Sequence, residues 1–575
     1  MKPKFAAILL VAATFTVAGC ATPAREDRIV QNQESLRWQS FVAGYIEQTF
    51  RANPTFAVNQ GRHEFDGMLP DWSPTGINSE VSRLKSAIAA AEAFDPRLLP
   101  ESDRFERDYL VAQARGELFW LETAGSPWRN PAFYVGSLDP SPYVTRPYAA
   151  PAVRMRAFIK YLDAIPAAAA QVRRNLRKPM PLTFVDYGKA GFAGYAEYYP
   201  SDGKAAFASV RDPALQRELD SSAQAASAAM ASLARWIDEQ RPRATQDFAL
   251  GPQRFAQMLR DTEMVDTPIA ELEAIGRADL SRNQEALRLA CADFAPGASI
   301  AACMAKLNAN KPDGGPVAGA RAQLAGLKQF LIEKDLVTIP GTEEARVEES
   351  PPYNRQNSAY IDIPGPYEAG LPSTYYISPP DPAWSKEVQA AYIPGEADLL
   401  FTSVHEVWPG HFLNFLHANR SRSTFGKVFV GYAFAEGWAH YSEEMMWEAG
   451  LGSGDPEIHV GQLSNALLRD CRLLSAIGLH SGTMTVDQSR RLFREQCHQD
   501  EGNARQQSAR GTYDPAYLNY TMGKLMIMKL REDWVARRGG RRAWKAFHDR
   551  FLGYGGPPIP LVRAQMMGEA PRAVF

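Results

Sequence analysis

At 575 residues, the chain is long enough to bury a large apolar core and to form more than one lobe. Hydrophobic residues make up 45% of the sequence and charged residues 22%, which is typical of a globular protein. The formal net charge is −2 and the sequence contains no basic stripe, which argues against nucleic acid as a partner.

Residues 1–19 have the composition of a targeting segment, with two lysines before an apolar run too short to span a bilayer comfortably. The run ends in Val17-Ala18-Gly19-Cys20, which resembles the bacterial lipobox. We therefore predict a lipoprotein signal peptide and a lipid on Cys20; an ordinary signal peptide and a short membrane anchor are the alternatives. Ala21 rather than Asp follows, which favours the outer membrane, facing the periplasm. No later apolar run is long enough to cross a membrane, so the lipid is the expected attachment.

The rest of the chain has a predominantly helical pattern. Residues 20–40 are predicted as the lipidated cysteine and a polar tether, and residues 41–340 as an N-terminal helical part. Residues 341–575 are predicted as a second part, which carries the motifs described below, with 41–575 forming one continuous domain. Tyrosine- and isoleucine-rich segments at 360–363 and 374–377 predict two short strands. Helices are predicted at 427–449, 459–480, 485–497 and 514–538, the third with a capping box from Thr485 and Gln488.

Four cysteines remain after Cys20, and an even number in an oxidising compartment indicates disulfides. Pairing between sequence neighbours is favoured, which predicts Cys291–Cys303 and Cys471–Cys497. Four buried free thiols are the alternative. The spacing of these cysteines does not resemble a zinc cluster.

Two histidines and a glutamate lie within seven residues, at His405, Glu406 and His411. Imidazole and carboxylate groups are ligands that zinc favours, and a glutamate beside a ligating histidine can act as a general base. The histidines are six residues apart, which is roughly 240° around a helix, so a straight helix would point them apart. The helix must therefore break at Pro409-Gly410 for both to reach one metal. From these residues alone, a zinc site and a kinked surface helix are both open.

A second acidic segment follows on a predicted helix. Glu436, His440 and either Glu443 or Glu444 share one helical face. Surface glutamates usually pair with lysine or arginine, but residues 428–468 contain neither. The segment is therefore predicted to direct carboxylates inward, towards a metal.

These motifs resemble those of the bacterial domain of unknown function 885 family. The family's H-E-x-x-P-G-H element is present at 405–411 and its E-G-W-A-x-Y-x-E element at 436–443. Further matches are R-L-x-x-x-x-G-L-H at 472–480 and Y-x-x-G from Tyr520 to Gly523, and the resemblance covers about residues 40–565. It implies a large helical zinc-metallopeptidase-like fold of the thermolysin-like, Glu-ligand kind, with a small sheet beside the active-site helices.

The resemblance also implies roles for individual residues. His405, His411 and Glu436 would bind Zn²⁺, and Glu406 would be the general base. His440 stands where the family more often has an apolar residue, so its place among the ligands is in doubt.

Five other residues are candidates for the site. Glu443 could orient a ligating histidine. Arg472 could bind a substrate carboxylate or form a structural ion pair, and His480 could face the cleft or interact with a helix dipole. Tyr520, with Tyr517 as its rival for substrate contact, could donate to the oxyanion, although both could simply pack in the core. His480 is the alternative donor to the oxyanion.

The predicted function is zinc-dependent hydrolysis of short peptides in the cell envelope. A zinc amidase or carboxypeptidase acting on murein or γ-glutamyl peptides is the alternative enzyme. A non-catalytic lipoprotein that binds peptide or scaffolds a complex is the alternative of another class. Glu406 favours an enzyme, because a purely structural metal site needs no base.

Overall fold

A computed structural model describes residues 23–355, 357–368, 370–568 and 574–575, with the side chains from residue 30 onward. The predicted signal peptide and Cys20 lie outside the described residues. Within the described part, no helix is long and apolar enough to cross a membrane. The fold is mostly helical, with one small sheet, as predicted.

Among the described residues, fourteen α-helices precede the sheet. They are α1 Pro23–Ala52, α2 Pro54–Asn59, α3 Pro74–Glu92, α4 Glu101–Leu118, α5 Ser126–Arg129, α6 Ala132–Val135, α7 Ser141–Val144, α8 Pro151–Asn175, α9 Leu182–Tyr198, α10 Pro213–Asp238, α11 Pro252–Glu263, α12 Ile269–Phe294, α13 Ile300–Ala309 and α14 Pro316–Lys334.

In the part of the chain that the structure describes, eleven α-helices follow the sheet. They are α15 Lys386–Tyr392, α16 Glu396–Glu406, α17 His411–Ala418, α18 Thr424–Val428, α19 Tyr432–Glu448, α20 Pro456–Ser481, α21 Val486–Glu495, α22 Glu501–Tyr513, α23 Asn519–Ala536, α24 Trp544–Leu552 and α25 Ile559–Met567. The single helix predicted at 427–449 is thus divided between α18 and α19. The predicted capping box of Thr485 and Gln488 is present at the start of α21.

The segment predicted as a polar tether is helical from Pro23 onward. The reason is tertiary: Trp38, in the middle of α1, is fully buried and donates from Nε1 to Glu106 on α4 over 2.9 Å. Ser35 also donates to Asp103 of the same helix. The second half of the predicted tether is therefore anchored to the helical body.

The sheet has three strands, β1 (Ala345–Glu349), β2 (Ala359–Asp362) and β3 (Ser373–Ile377), in the order β1-β3-β2. β3 is central, parallel to β1 and antiparallel to β2. The two predicted strands correspond to β2 and β3. β1 was not predicted, because its sequence is polar and only Val347 of its five side chains is buried.

Two large clusters of apolar side chains form the core. One cluster joins helices α11, α12, α13 and α14 with the C-terminal helices. It therefore includes residues from both sides of the predicted boundary at position 340. The other joins residues of the helices between α1 and α10 with Phe425, Val428 and Phe429. Both predicted disulfides are present, Cys291–Cys303 and Cys471–Cys497.

The helices that carry the motifs pack closely against one another. A Cβ added to Gly437 on α19 would lie 2.6 Å from the Gly523 backbone on α23. A Cβ on Gly523 would overlap the carbonyl oxygen of Ala433. The paired glycines therefore let two backbones touch, which places Tyr520 of α23 beside Glu436 of α19.

Candidate metal centre

The histidines of the first motif are brought together by a break between two helices. α16 ends at Glu406 and α17 begins at His411, so the predicted break at Pro409-Gly410 is confirmed. Gly410 is required here, because a Cβ at this position would overlap the carbonyl oxygen of His405. Trp438 of α19 donates from Nε1 to the Pro409 carbonyl over 2.8 Å, which fixes the turn against the second motif.

Three possible ligand groups converge at this turn. Nε2 of His405 and Nε2 of His411 each lie 3.2 Å from the same oxygen, Oε2 of Glu436. The ligand atoms of all three residues lie within 4.8 Å of one another. Zinc binds nitrogen and oxygen ligands at about 2.0 to 2.2 Å, which separates tetrahedral ligands by roughly 3.4 Å. The two His–Glu separations therefore fit a small metal ion held by these three residues.

Glu443 lies behind His405, as predicted. The imidazole donates from Nδ1 to Glu443 Oε1 over 2.7 Å, which leaves Nε2 directed at Glu436. Burial raises the pKa of Glu443, but the Arg469 guanidinium 3.1 Å away and His440 outweigh it and hold that pKa well below its ordinary value. An ionised Glu443 accepts hydrogen bonds only, so it fixes the tautomer and orientation of His405.

The other acidic residues of the second motif lie outside the three-residue group. Glu444 pairs with Arg282 over 2.7 Å and lies 3.4 Å from Lys524 Nζ. Glu443 is itself paired with Arg469. The basic partners of these two glutamates, which the local sequence lacks, come from distant parts of the chain.

His440 also lies apart from the candidate ligands. It is fully buried, lies outside the three-residue group, and has Nδ1 3.4 Å from Glu443 Oε2. Burial lowers its pKa to about 4, so it is a neutral core residue at neutral pH.

Glu406 has the environment expected of a base. It is 6% exposed, and its Oε2 has no hydrogen-bond partner in the described part of the chain. Burial raises the pKa of Glu406, against the opposing influence of His411 and His405. Buried polar atoms are normally hydrogen-bonded, so this oxygen is open to a small donor that enters the cavity.

Tyr520 lies against the first motif. Its ring stacks near that of His405, with centroids 5.8 Å apart and an angle of 15° between the planes. Arg510 of α22 donates to the Tyr520 hydroxyl over 3.3 Å. Burial raises the pKa of this phenol, which keeps it protonated and able to donate a hydrogen bond.

Arg472, on α20, lies against this tyrosine, with its guanidinium carbon 4.3 Å from the Tyr520 ring centroid. It donates from Nε to Gln507 over 2.8 Å. No carboxylate of the described residues lies within 4.0 Å of its nitrogens. The ion pair considered as its alternative role is therefore absent from the described part of the chain.

A large cavity opens beside these residues. Its volume is about 1210 Å³, and it is lined by residues of both core clusters. Its walls include His405, Glu406, His411, Glu436, Asp398, Arg469, Arg472, Arg510, Tyr520 and the β2 segment 358–363. The candidate ligands, the candidate base and the edge strand of the sheet thus face one space.

Residues 54–566 match the family described as bacterial protein of unknown function (DUF885). The chain belongs to this family. The match covers both motifs and nearly all of the described helices, so the family fold extends well beyond the metal centre. No protein with a curated description matches the chain.

Two solved structures show the same overall fold as this DUF885 chain. One is a candidate lipoprotein of unknown function from Shewanella oneidensis, 22% identical, with a TM-score of 0.72, covering 92% of this chain and 99% of its own. The other is a candidate lipoprotein from Colwellia psychrerythraea, 17% identical, with a TM-score of 0.75, covering 93% and 99%.

Two predicted site residues of this DUF885 chain lie elsewhere. His480 accepts a hydrogen bond at Nδ1 from the Leu250 amide and donates from Nε2 to the Gly511 carbonyl, and it does not line the large cavity. Tyr517 is fully buried against Gly511 and also lies outside that cavity. Both residues pack in the core. The local sequence pattern did not exclude them from the site, because it cannot show which side of a helix faces the cavity.

Three residues of the site were not predicted. Arg469 and Arg510 approach Tyr520 together with Arg472, and Tyr375 of β3 lines the cavity. Arg469 is one helical turn before Arg472, a spacing that could have indicated a basic face on α20. Nothing in the sequence near Arg510 indicates a role in this site, whereas Tyr375 belongs to the tyrosine-rich segment 374–377, which could form a sheet edge that pairs with an extended peptide.

Proposed function

We propose that the protein is a zinc-dependent peptidase that hydrolyses short peptides in the cell envelope. The observation that carries the proposal is the convergence of His405, His411 and Glu436 on one point, beside a buried Glu406 with a free oxygen. Three protein ligands of this kind leave a fourth position open, which is the pattern of catalytic rather than structural zinc sites.

Bound zinc would supply Lewis acidity, which polarises a carbonyl group and makes water a better nucleophile at neutral pH. Glu406 would accept the proton of the attacking water at its free oxygen and later pass it to the leaving amine. Glu443 holds His405 in orientation through the 2.7 Å hydrogen bond. Tyr520, with Arg510 at its hydroxyl, is placed to donate to the oxygen on which negative charge develops.

The cavity supports a peptide as the substrate. β2 pairs with β3 on one side only, and residues 358–363 line the cavity. An edge strand offers backbone groups to which an extended peptide can add as a further strand. The volume of about 1210 Å³ is sufficient for a few residues.

The proposed location is the bacterial membrane surface, with a lipid on Cys20 and the chain at the outer membrane facing the periplasm. The Val17-Ala18-Gly19-Cys20 sequence supports this location. The two related structures come from candidate lipoproteins, which agrees with it. The two disulfides are typical of an exported protein.

The test uses the full chain extracted in mild detergent. Elemental analysis is expected to find about one zinc per chain. His405→Ala and His411→Ala are expected to lose it, whereas the control His417→Ala, whose imidazole is bonded to the Thr338 carbonyl, is expected to keep it. Full zinc in both ligand variants would contradict the assignment.

The reaction is tested on a mixed peptide library, with cleavage sites read by mass spectrometry. We expect cleavage that stops when a chelator is added and returns with zinc. Release of amino groups from murein or γ-glutamyl peptides only would favour the amidase. Binding of peptides without any cleavage in the zinc-loaded protein would favour the non-catalytic alternative.

A further inference from the structure

Three arginines surround the ring of Tyr520. The guanidinium carbons of Arg472, Arg510 and Arg469 lie 4.3, 5.6 and 6.0 Å from the ring centroid. All three line the large cavity. They come from two helices, α20 and α22, so the cluster exists only because these helices pack side by side.

Two of the three arginines have an ion-pair partner. Arg469 pairs with Glu443 over 3.1 Å, and Arg510 pairs with Asp514 over 3.0 Å. Arg472 forms no ion pair in the described part of the chain: it contacts the neutral Gln507 and the aromatic ring, and the negative charge that acts on it from further away is that of Glu436, one of the candidate metal ligands. Its side chain is 3% exposed, and a buried cation without a counter-ion is costly.

The cluster also has unused donors. Arg469 Nε and Arg510 Nη1 are buried and have no hydrogen-bond partner among the described residues. Guanidinium groups donate but never accept, so only an acceptor can satisfy these atoms. A carboxylate supplies both the missing negative charge and several acceptor lone pairs.

We propose that Arg472, assisted by Arg510 and Arg469, binds a carboxylate of the substrate close to the bond that is cleaved. The Tyr520 ring contacts the Arg472 guanidinium on α20 and stacks near the His405 ring, so one aromatic side chain separates the cationic cluster from the metal ligands. The carboxylate is either the free C-terminus of a peptide or an acidic side chain next to the cleaved bond. This substrate class rests on the proposed peptidase function.

The binding test uses the zinc-loaded full chain carrying Glu406→Gln, so that peptides bind without turnover. Calorimetry compares tetra-alanine as the free acid and as the C-terminal amide, and two amidated tetrapeptides with Glu or Gln at the third position. We expect the free acid, the Glu peptide, or both to bind at least about tenfold more tightly than the uncharged partner, as for charge-assisted hydrogen bonds. A preference within the tetra-alanine pair identifies the carboxylate as the peptide C-terminus, and a preference within the Glu and Gln pair identifies it as an acidic side chain.

Arg472→Gln in the same background is expected to reduce this preference to less than about threefold, by weakening the charged peptide more than the uncharged one. Because Arg472 forms no ion pair among the described residues, its replacement leaves no buried carboxylate there without a partner. Arg472→Lys keeps the charge without the planar fork and is expected to keep part of the preference. Arg531→Gln is the control: this buried arginine also stacks on an aromatic ring, 4.3 Å from Trp544, but lies outside the cavity. It should retain the full preference.

The two proposals fail in different ways. Equal affinity for charged and uncharged peptides, or no binding of any of the four at millimolar concentration, overturns the carboxylate site. A preference that survives Arg472→Gln overturns it as well. A preference for the carboxylate in a wild-type chain that cleaves no peptide supports the site and contradicts the peptidase function.

Discussion

Glu406 and Glu443 are both buried carboxylates next to His405, but their surroundings give them different chemistry. Glu443 accepts from His405 and lies against Arg469, so it stays ionised and has no proton to exchange. Glu406 keeps one oxygen without a partner in the described structure, and burial raises its pKa. Environment rather than residue type therefore separates the orienting group from the candidate base.

Glu406→Gln tests this separation. The amide preserves size but cannot accept the proton, so we expect peptide turnover to fall a hundredfold or more, in the range typical of general bases. Zinc content should be unchanged, because Glu406 is not in the ligand group. Glu396→Gln, at the other end of α16, is the matched control and should keep full turnover. Turnover of the Glu406 variant within about tenfold of wild type would remove Glu406 from this role.

Tyr520 and His480 were alternative donors to the oxyanion, and the structure places only Tyr520 beside His405. We expect Tyr520→Phe to lower kcat about a hundredfold with little change in KM, because the donor acts on charge that develops in the transition state. His480→Ala should lower the melting temperature, since it removes two buried hydrogen bonds to backbone, but should leave kcat near wild type. Steady-state kinetics of both variants distinguish the two donors. Normal turnover in Tyr520→Phe with loss of turnover in His480→Ala would assign the oxyanion role to His480 instead.

At the scale of helices, the contact between α19 and α23 positions the site. Gly437 and Gly523 face each other, so these helices approach until their backbones touch. Gly523 is the glycine of the Y-x-x-G match, and its neighbour in the structure is the second motif itself. Tyr520 and Glu436 are brought together by this contact, without any direct link in sequence.

Gly523→Ala should force the two helices apart. Its Cβ would overlap the Ala433 carbonyl oxygen, so we expect destabilisation of about 1 to 3 kcal/mol, as for overpacking, and reduced activity. Gly326→Ala is the matched control, since Gly326 is an exposed position inside α14 with nothing within 4 Å of an added Cβ. This control should stabilise the protein by about 0.5 to 1 kcal/mol. Equal changes in melting temperature for the two variants would contradict the packing argument.

At the scale of the whole molecule, the core joins segments that are far apart in sequence. Glu263 at the end of α11 accepts a hydrogen bond from Asn519 at the start of α23 over 2.8 Å. Burial raises the pKa of Glu263 from 4.5 to about 8. The folded-state pKa lies above the unfolded one, so protonation stabilises the fold fully below about pH 4.5, and this contribution is lost as the pH rises through 8.

Glu263→Gln should remove this dependence, because the amide keeps a hydrogen bond but does not titrate. We expect the variant to gain stability relative to wild type between pH 5 and pH 9, by an amount on the order of 1 to 3 kcal/mol. Melting temperatures at the two pH values measure it, with the exposed Glu239→Gln as control. A difference between variant and wild type that is the same at both pH values would contradict the assignment of a raised pKa to Glu263.

Attachment to the membrane is also a property of the whole molecule. If Cys20 carries the lipid, cell fractionation should find the wild type with membranes. Cys20→Ser should either block processing of the leader or release the chain. Ala21→Asp, which tests the role of the following residue, should redirect the lipidated protein to the other membrane of a two-membrane cell. A wild type found wholly in the soluble fraction would contradict anchorage.

The sequence by itself determined the features that depend on nearby residues. The helical periodicity, the capping box at Thr485 and the break at Pro409-Gly410 follow from backbone hydrogen bonding within a few residues. The disulfide pairing followed from closeness in sequence. The resemblance of the two motifs to those of the family implied the candidate ligands and the candidate base Glu406, and the position of Glu443 two turns after Glu436 made it a candidate orienting group.

Only the tertiary structure decided which of these residues meet. The ligand group needs three helices, the partners of Glu443 and Glu444 come from α12, α20 and α23, and the arginines around Tyr520 come from α20 and α22. His480 and Tyr517 lie in or beside the same motifs as residues that line the cavity, yet the packing of their helices buries both side chains in the core. The physical reason is that burial and ion pairing depend on which helix faces pack together, and that is a property of contacts between residues far apart in the chain.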